Sequence, residues 1–387
     1  PYQSLSGISS GGNYPYNGSE ATDLGFFVLN AANPNLKWES TTQTNYGIDM
    51  GFFSGRLQVT ADYYIKTTKD LLMSKTLPGY TGFTSVTANI GSIENKGFEF
   101  AISGDPLVGT VKWNTGFNIS TNKNKVLSLG GIDRIGYRTT KGGYSVNNPF
   151  MYLVVAQPFG QIYGFGYEGV WGTDKASEAA AYGQLPGDPR YTDENGDGVI
   201  NNQDLKVIGN AFPDYIFGWT NRLSYKSFEL TMLIQGSQGN DLFNMPRIRL
   251  ENPYEGTSSR LLDRWTPTNQ DTDVPGFIDQ LTRNAAGLTS KVSISNDQRL
   301  SRWVEDASYI RLKNIMLAYN LPKDLLTRIK LNNIRVFVSA TNLLTITNYT
   351  GYDPEVSAYN GNDAQIGVDF SSYPQSRIIN IGLNLSF

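Results

Sequence analysis

Hydrophobic and polar residues alternate along this chain in segments of about ten residues, the length of a membrane-crossing β-strand. From Asn45 to Phe53, Tyr46, Ile48, Met50 and Phe52 fall on one face and Asn45, Gly47, Asp49 and Gly51 on the other. After the link Phe53-Ser54-Gly55 the alternation resumes with Leu57, Val59, Ala61, Tyr63 and Ile65, which predicts a hairpin. The unit recurs with Phe98, Phe100 and Ile102 leading to Val111, Trp113, Phe117 and Ile119, and again in 215–225 and 228–234. Further strands are predicted near 309–320, 332–342 and 377–387, and a weaker pair, 148–156 and 161–170, flanks Gln157-Pro158-Phe159-Gly160. Two short helices are expected, at 174–182 before Gly183 and at 322–330 behind Pro322.

Short turns alternate with long polar excursions at 67–94, 121–147, 171–212, 238–307 and 343–376. Outer-membrane barrels show this asymmetry, with short periplasmic turns and long extracellular loops, whereas a soluble sandwich or propeller has no reason for it. Aromatic residues at the ends of the apolar faces match the interfacial girdles of such barrels. The fold class expected is therefore all-β: about eleven antiparallel strands of a transmembrane β-barrel. If the short turns are periplasmic, the eleven strands begin outside and end in the periplasm at Phe387. A closed bacterial barrel normally has an even strand number, so at least one more strand is expected upstream. The chain, which opens Pro1-Tyr2-Gln3-Ser4, reads as the C-terminal portion of a larger barrel.

Composition narrows the chemistry. The 387 residues carry 32 Lys and Arg against 35 Asp and Glu, a net charge of -3, and no clustered basic excess that would suit nucleic acid. There is no cysteine and no histidine, which excludes disulfides, thiol catalysis, histidine-based triads and most zinc sites. No apolar stretch approaches the ~18–20 residues of a membrane helix, so a helical membrane protein is excluded and a barrel is not.

The strongest local motif runs from Asp193 to Asp204. Asp193, Asn195, Asp197, Asn201 and Asp204 stand at loop positions 1, 3, 5, 9 and 12, Gly198 at 6, and the Val199 carbonyl at 7. That is the spacing of an EF-hand calcium loop, which wraps hard oxygen donors around one ion. Asp204 replaces the usual bidentate glutamate, and the flanks are not two helices, so a structural Ca2+ is expected rather than a sensing one. The competing reading is a metal-free turn rich in Asn and Asp. Gly164-Phe165-Gly166-Tyr167-Glu168-Gly169 matches G-x-G-x-x-G in form only, because its glycines alternate with aromatics inside an expected strand and no helix follows. Asp271, Asp273, Asp353 and Glu355 are the acids a glycosidase pair would draw on, but nothing in the sequence brings two of them face to face.

The last strand places Ile379, Ile381, Leu383, Leu385 and Phe387 on one apolar face. A final amphipathic strand closing on phenylalanine resembles the signal read by the outer-membrane barrel assembly machinery.

An ordered series of short motifs then resembles the SusC/RagA family of TonB-dependent transporters of Bacteroidota outer membranes. It includes Asn33-Pro34-Asn35-Leu36-Lys37-Trp38-Glu39, Asp62-Tyr63-Tyr64, Lys69-Asp70-Leu71-Leu72, Asn89-Ile90-Gly91 and Asn95-Lys96-Gly97-Phe98-Glu99. Pro186-Gly187-Asp188, Ile208-Gly209-Asn210, Arg264-Trp265-Thr266-Pro267, Asn342-Leu343-Leu344, Gly351-Tyr352-Asp353-Pro354-Glu355 and Tyr373-Pro374 continue it. The resemblance implies a 22-stranded barrel, with a plug and TonB box outside these residues. It further implies a SusD-like surface lipoprotein as lid, and TonB-driven import of oligosaccharides or peptides without any change to substrate bonds. The other readings are a TonB-dependent receptor for a metal chelate, and a secreted β-rich glycan-binding protein or hydrolase.

Overall fold

A computed structural model describes residues 4–386 apart from 16–21, 142–143, 253–255, 279–281, 283–284, 288–291, 293–298, 323–325, 327–330 and 358–364. Its largest element is one antiparallel sheet of nine strands. In spatial order these are Ile378–Ser386, Asn333–Thr347, Tyr309–Asn320, Phe228–Gln238, Tyr215–Tyr225, Val111–Leu129, Ser85–Val108, Leu57–Thr76 and Ser40–Phe52.

The register explains why these sequences make this wall. Met50 opposes Val59, which opposes Ile102, then Phe117, Trp219 and Ile234, a row of apolar residues across six strands. Leu230, Leu317, Val338 and Ile381 continue the same face over the other strands. Because successive side chains point to opposite sides, the intervening positions form a second, polar face: Asp62 opposes Glu99, Asn118 opposes Gly218, and Gln235 opposes Arg311. On strands paired on both sides the apolar face is the more exposed one: Leu317 is 52% and Val338 47% accessible, while their neighbours Ala318 and Ser339 are buried and half-buried. An apolar face turned outward and a polar face turned inward invert the pattern of a soluble sandwich and are what lipid demands. Among the described residues the edge strands, Ser40–Phe52 and Ile378–Ser386, each pair on one side only. Unpaired backbone cannot stand in a bilayer, so this wall closes only with further strands.

At one end the wall strands are joined tightly. Tyr225 pairs with Phe228 across the two-residue turn Lys226-Ser227, with Lys226 at φ 52°. At the other end two strands overshoot any membrane: Leu57–Thr76 has 20 residues and Ser85–Val108 has 24, against the ~9–11 that cross a bilayer. Most of the expected 67–94 excursion is therefore strand that extends beyond the bilayer.

The weaker pair differs from expectation. Residues 148–156 and 161–170 do not join the wall; Tyr144–Val154 and Gln161–Gly164 lie inside a separate four-stranded sheet with Arg134–Lys141 and Lys206–Asn210. The reason is packing: Phe150, Met151 and Ile162 are buried in a protein core, and four residues are too few to span lipid. Since both strands leave the wall together, its sense of entry and exit is unchanged.

That core is the feature the sequence hid. Phe150, Met151, Ile162, Phe165, Tyr191, Ile200, Phe243, Met245, Val292, Leu300, Trp303 and Val368 form one buried cluster. It is drawn from the weaker pair and from the 171–212, 238–307 and 343–376 excursions, so these segments are a folded cap and not separate loops. A three-stranded sheet of Val304–Asp306, Asp241–Asn244 and Val368–Asp369 contributes to it. The first expected helix is Ala176–Ala181, ending before Gly183 at φ 66°. The second, 322–330, falls almost wholly outside the described residues. A helix at Met245–Leu250 and a hairpin of Ile8–Pro15 with Thr22–Val28 were not anticipated.

Candidate functional site

The polar face of the wall and the cap above it form the candidate site. A hollow of about 550 Å3 on the wall is lined by Asp62, Glu99, Asn118, Gly218, Gln235 and Tyr309 among others. Its upper edge is fixed by Arg311, 2% exposed, whose guanidinium donates to Asp353 Oδ1 at 2.7 Å and to Glu355 Oε2 at 2.6 Å. Gln235 and the Tyr309 hydroxyl also donate to Glu355 Oε1, each at 2.6 Å. The wall thus grips the Gly351–Glu355 motif. Burial pushes the Asp353 carboxyl up, but Arg311 and the amides of Glu355 and Gln375 outweigh it and hold it below the usual range.

The cap has its own charged centre. Glu251 is buried, accepting from Arg247 Nε at 2.7 Å and Arg302 Nη2 at 2.5 Å, with Arg260 Nε at 3.6 Å. Arg247 also reaches Glu305 at 2.7 Å, and Glu305 accepts from the Thr350 amide at 2.8 Å. The four acids considered for glycosidase chemistry include Asp273, paired with Arg260 at 2.9 Å, and Asp353 and Glu355, both committed to Arg311. The contacts of Asp273, Asp353 and Glu355 are those of structural ion pairs, and none brings two of these acids together across an open cleft.

The Asp193–Asp204 loop sits in the cap. Asp193 accepts the amides of Gly196 at 2.7 Å and Gly198 at 2.8 Å, and both glycines have positive φ. Asn195 Oδ1 accepts from the Asp197 amide and Asp197 Oδ1 from the Val199 amide, so the chain curls around its own side-chain oxygens. Asp204, fully buried, accepts the amides of Glu194 at 3.0 Å and Asn201 at 2.8 Å and closes the loop. Tyr182 donates to Asp193 Oδ2 at 3.2 Å, and buried Arg299 donates to Asn202 Oδ1 at 3.0 Å, tying the loop to the cap core. Partial burial raises the Asp193 carboxyl, but the Gly198 and Gly196 amides and Tyr182 overcome this and lower it.

Among the described residues no three acidic side chains gather into a metal-binding group. The donor set nevertheless fits a calcium ion in kind. Asp193, Asn195, Asp197, Asn201 and the Val199 carbonyl are hard oxygens on one tight loop, and Asp193 Oδ1, Asn195 Oδ1 and Asp197 Oδ1 each accept one amide and keep a further lone pair.

Of the C-terminal signal residues, Ile379, Ile381, Leu383 and Leu385 all lie on the exposed apolar face of the Ile378–Ser386 strand. Phe387 lies outside the described residues. The strand expected over 161–170 is two short ones in different sheets, Gln161–Gly164 and Tyr167–Val170, parted at Phe165-Gly166.

An inward-polar, outward-apolar wall under a folded cap defines the class: part of a membrane β-barrel. Residues 4–216 match the family described as TonB dependent receptor-like, beta-barrel. TonB-dependent receptors P3 and P26 of Formosa agariphila are 35% and 36% identical over all of this chain. TonB-dependent receptor SusC of Bacteroides thetaiotaomicron is 28% identical over 92% of it. The fold superposes on the RagAB peptide transporter with a TM-score of 0.79 at 24% identity, over 100% of this chain and 38% of the other. The chain belongs to the TonB-dependent receptor family. It spans 38% of the length of receptors P3 and P26. The family's place is the outer membrane, and its members are named as receptors or transporters, not enzymes.

Proposed function

We propose that this chain forms barrel wall and extracellular cap of an active importer of oligosaccharides or peptides, covered by a SusD-like surface lipoprotein and energised by TonB. The observation that carries this reading is the pairing of a lipid-suited wall with a cap packed around one core on the side of the long connections. In that arrangement the cap and long connections face the exterior, and the strand ending at Ser386 runs toward the periplasm. Cargo would pass along the polar face, where Asp62, Glu99, Asn118 and Gln235 offer hydrogen bonds and Tyr309 a ring edge for a sugar or a peptide side chain. No bond of the cargo changes. A packed cap suits a hinged lid better than loose loops do, because a lid needs a stiff seat.

Two subsidiary roles go with this reading. The Asp193–Asp204 loop would hold one structural Ca2+ through Asp193, Asn195, Asp197, the Val199 carbonyl, Asn201 and Asp204, stiffening the 171–212 segment. The apolar row Ile379, Ile381, Leu383, Leu385 and Phe387 would be read by the barrel assembly machinery.

The test is purification of the native receptor in mild detergent with mass spectrometry of co-purifying proteins. A stoichiometric surface lipoprotein is the expected result, and its own pocket then separates glycan from peptide. A detergent-independent protein without a partner would return the chain to the secreted β-protein reading.

A further inference from the structure

The outward face of the wall changes character toward the end that carries the cap. On the strand Val111–Leu129 the outward positions Trp113, Thr115, Phe117, Ile119 and Thr121 carry no charge, and the next two are Lys123 and Lys125. The neighbouring strand does the same, with Ile102, Phe100 and Phe98 followed by Lys96 and Glu94. Trp113 and Lys123 stand ten positions apart, matching the ~9–11 residues that cross a bilayer, so the charges begin where the apolar belt ends.

The register brings like charges together. Lys96 directly opposes Lys123, and Glu94 opposes Lys125. Directly opposed like charges destabilise a sheet unless something neutralises them. Glu94 pairs with Lys96 Nζ at 2.8 Å. Among the described residues Lys123 and Lys125 are exposed and have no acid within 4.0 Å. On the strand Leu57–Thr76 the residues facing Lys96 and Glu94 are Ile65 and Thr67, which add no charge. Lys123 and Lys125 share a face about 7 Å apart along their strand with Lys96 across from them, so three flexible ammonium groups can meet on one anion.

We propose that this cluster holds the phosphate monoester of an outer-leaflet lipid. A monoester carries nearly two negative charges at neutral pH, which matches the two lysines that Glu94 leaves unpaired. The cluster faces away from the lumen at the edge of the apolar belt, where a lipid keeps its headgroup at the surface and basic side chains gain affinity for it. This rests on the membrane-barrel reading and its orientation, which put the outer leaflet against these residues.

The experiment is native mass spectrometry of the delipidated full-length receptor with phosphatidic acid, phosphatidylglycerol or phosphatidylcholine of matched acyl chains. Heat-modifiable electrophoretic mobility serves as the check on a folded barrel for every variant. Phosphatidic acid should be retained best and phosphatidylcholine least. Lys123→Gln combined with Lys125→Gln should weaken retention of phosphatidic acid roughly twenty-five-fold, about fivefold for each lysine. Glu94→Gln should strengthen it by freeing Lys96, a gain that loss of a merely structural ion pair would not give. Phosphatidic acid held no better than phosphatidylglycerol, an unchanged double variant, an unchanged Glu94→Gln, or displacement of the lipid by equimolar inorganic phosphate overturns the proposal while the folded barrel stands. A receptor that needs no detergent and shows no heat-modifiable form sinks the barrel reading itself.

Discussion

Arg311 Nη2 lies 2.7 Å from Asp353 Oδ1, and this pair, with both side chains almost wholly shielded from solvent, fastens the last long connection to the wall. Removing one partner of a buried pair leaves the other charge stranded, which costs about 3–5 kcal/mol. Arg311→Ala strands Asp353 and Glu355 together, so it should free the described part of 343–376 before the rest unfolds. Hydrogen exchange should rise first at Tyr349 to Ser357. Lys313→Ala is the contrast: Lys313 stands 3.4 Å from Glu355 with a 29% exposed side chain, and its loss should cost no more than ~1 kcal/mol.

The same pair sets a pH dependence. The Asp353 carboxyl is held below its ordinary value in the folded chain. Its contribution to stability is therefore full above the unfolded value of about 3.9 and is lost as pH falls through the folded value. Exchange protection of this connection should be flat from neutral pH down to about pH 5 and fall below about pH 4. Asp353→Asn should flatten that acid limb; a variant that keeps the wild-type acid limb would assign it to another group.

Glu251 is the corresponding anchor of the cap, with Arg247 and Arg302 on its two oxygens. Glu251→Gln keeps the shape and removes the charge, leaving two shielded guanidinium groups facing one another. A loss of about 3–5 kcal/mol is expected in the cap. Tryptophan fluorescence should report it, since Trp303 packs against both arginines, with ring centroids 5.6 Å from Arg247 and 4.8 Å from Arg302.

Calcium makes a separable prediction. With a bound ion, chelation should raise hydrogen exchange across 193–204 and spare the wall, and Asp193→Ala should abolish the difference between chelated and calcium-loaded protein. Asp204→Ala should do more: both acids accept two amides without an ion, but Asp204 is fully buried, so water cannot replace it at the amides of Glu194 and Asn201, whereas Asp193 is half-buried. Identical exchange with and without chelator in the wild type would leave a self-capped loop.

The wall was legible in the sequence and the cap was not. Ile48, Trp113, Leu230 and Ile381 announce themselves by strict alternation, because one face of each strand meets a single continuous solvent, the lipid. The cap core takes Ile200, Phe243, Val292, Trp303 and Val368 from separate segments with no shared period. They stand singly or in pairs such as Val199-Ile200, Leu242-Phe243 and Trp303-Val304 within polar stretches, and only long-range folding collects them. The weaker pair misled for the same reason: Phe150 and Ile162 are apolar because protein covers them, and alternation alone does not distinguish a protein core from lipid. Asp353 and Glu355 were visible as loop acids, but Arg311 lies 42 residues before Asp353 and no local signal links them.

Ile381 and Asn380 are neighbours on the last wall strand and face opposite solvents. Ile381 opposes Val338 on the apolar side and is 79% exposed, while Asn380 opposes Ser339 on the polar side. Both positions are exposed, so in a soluble sheet an arginine would be harmless at either. In a membrane barrel the two part, since an arginine on the lipid face costs about 2–4 kcal/mol near the midplane and one facing the lumen avoids that lipid penalty. Ile381→Arg should therefore lower the folded fraction in vesicles, read by heat-modifiable mobility, and Asn380→Arg should leave it near wild type. Equal behaviour of the two variants, or the reverse ranking, would mean that the exposed apolar face meets water or protein, and the wall would then have to be something other than a membrane wall.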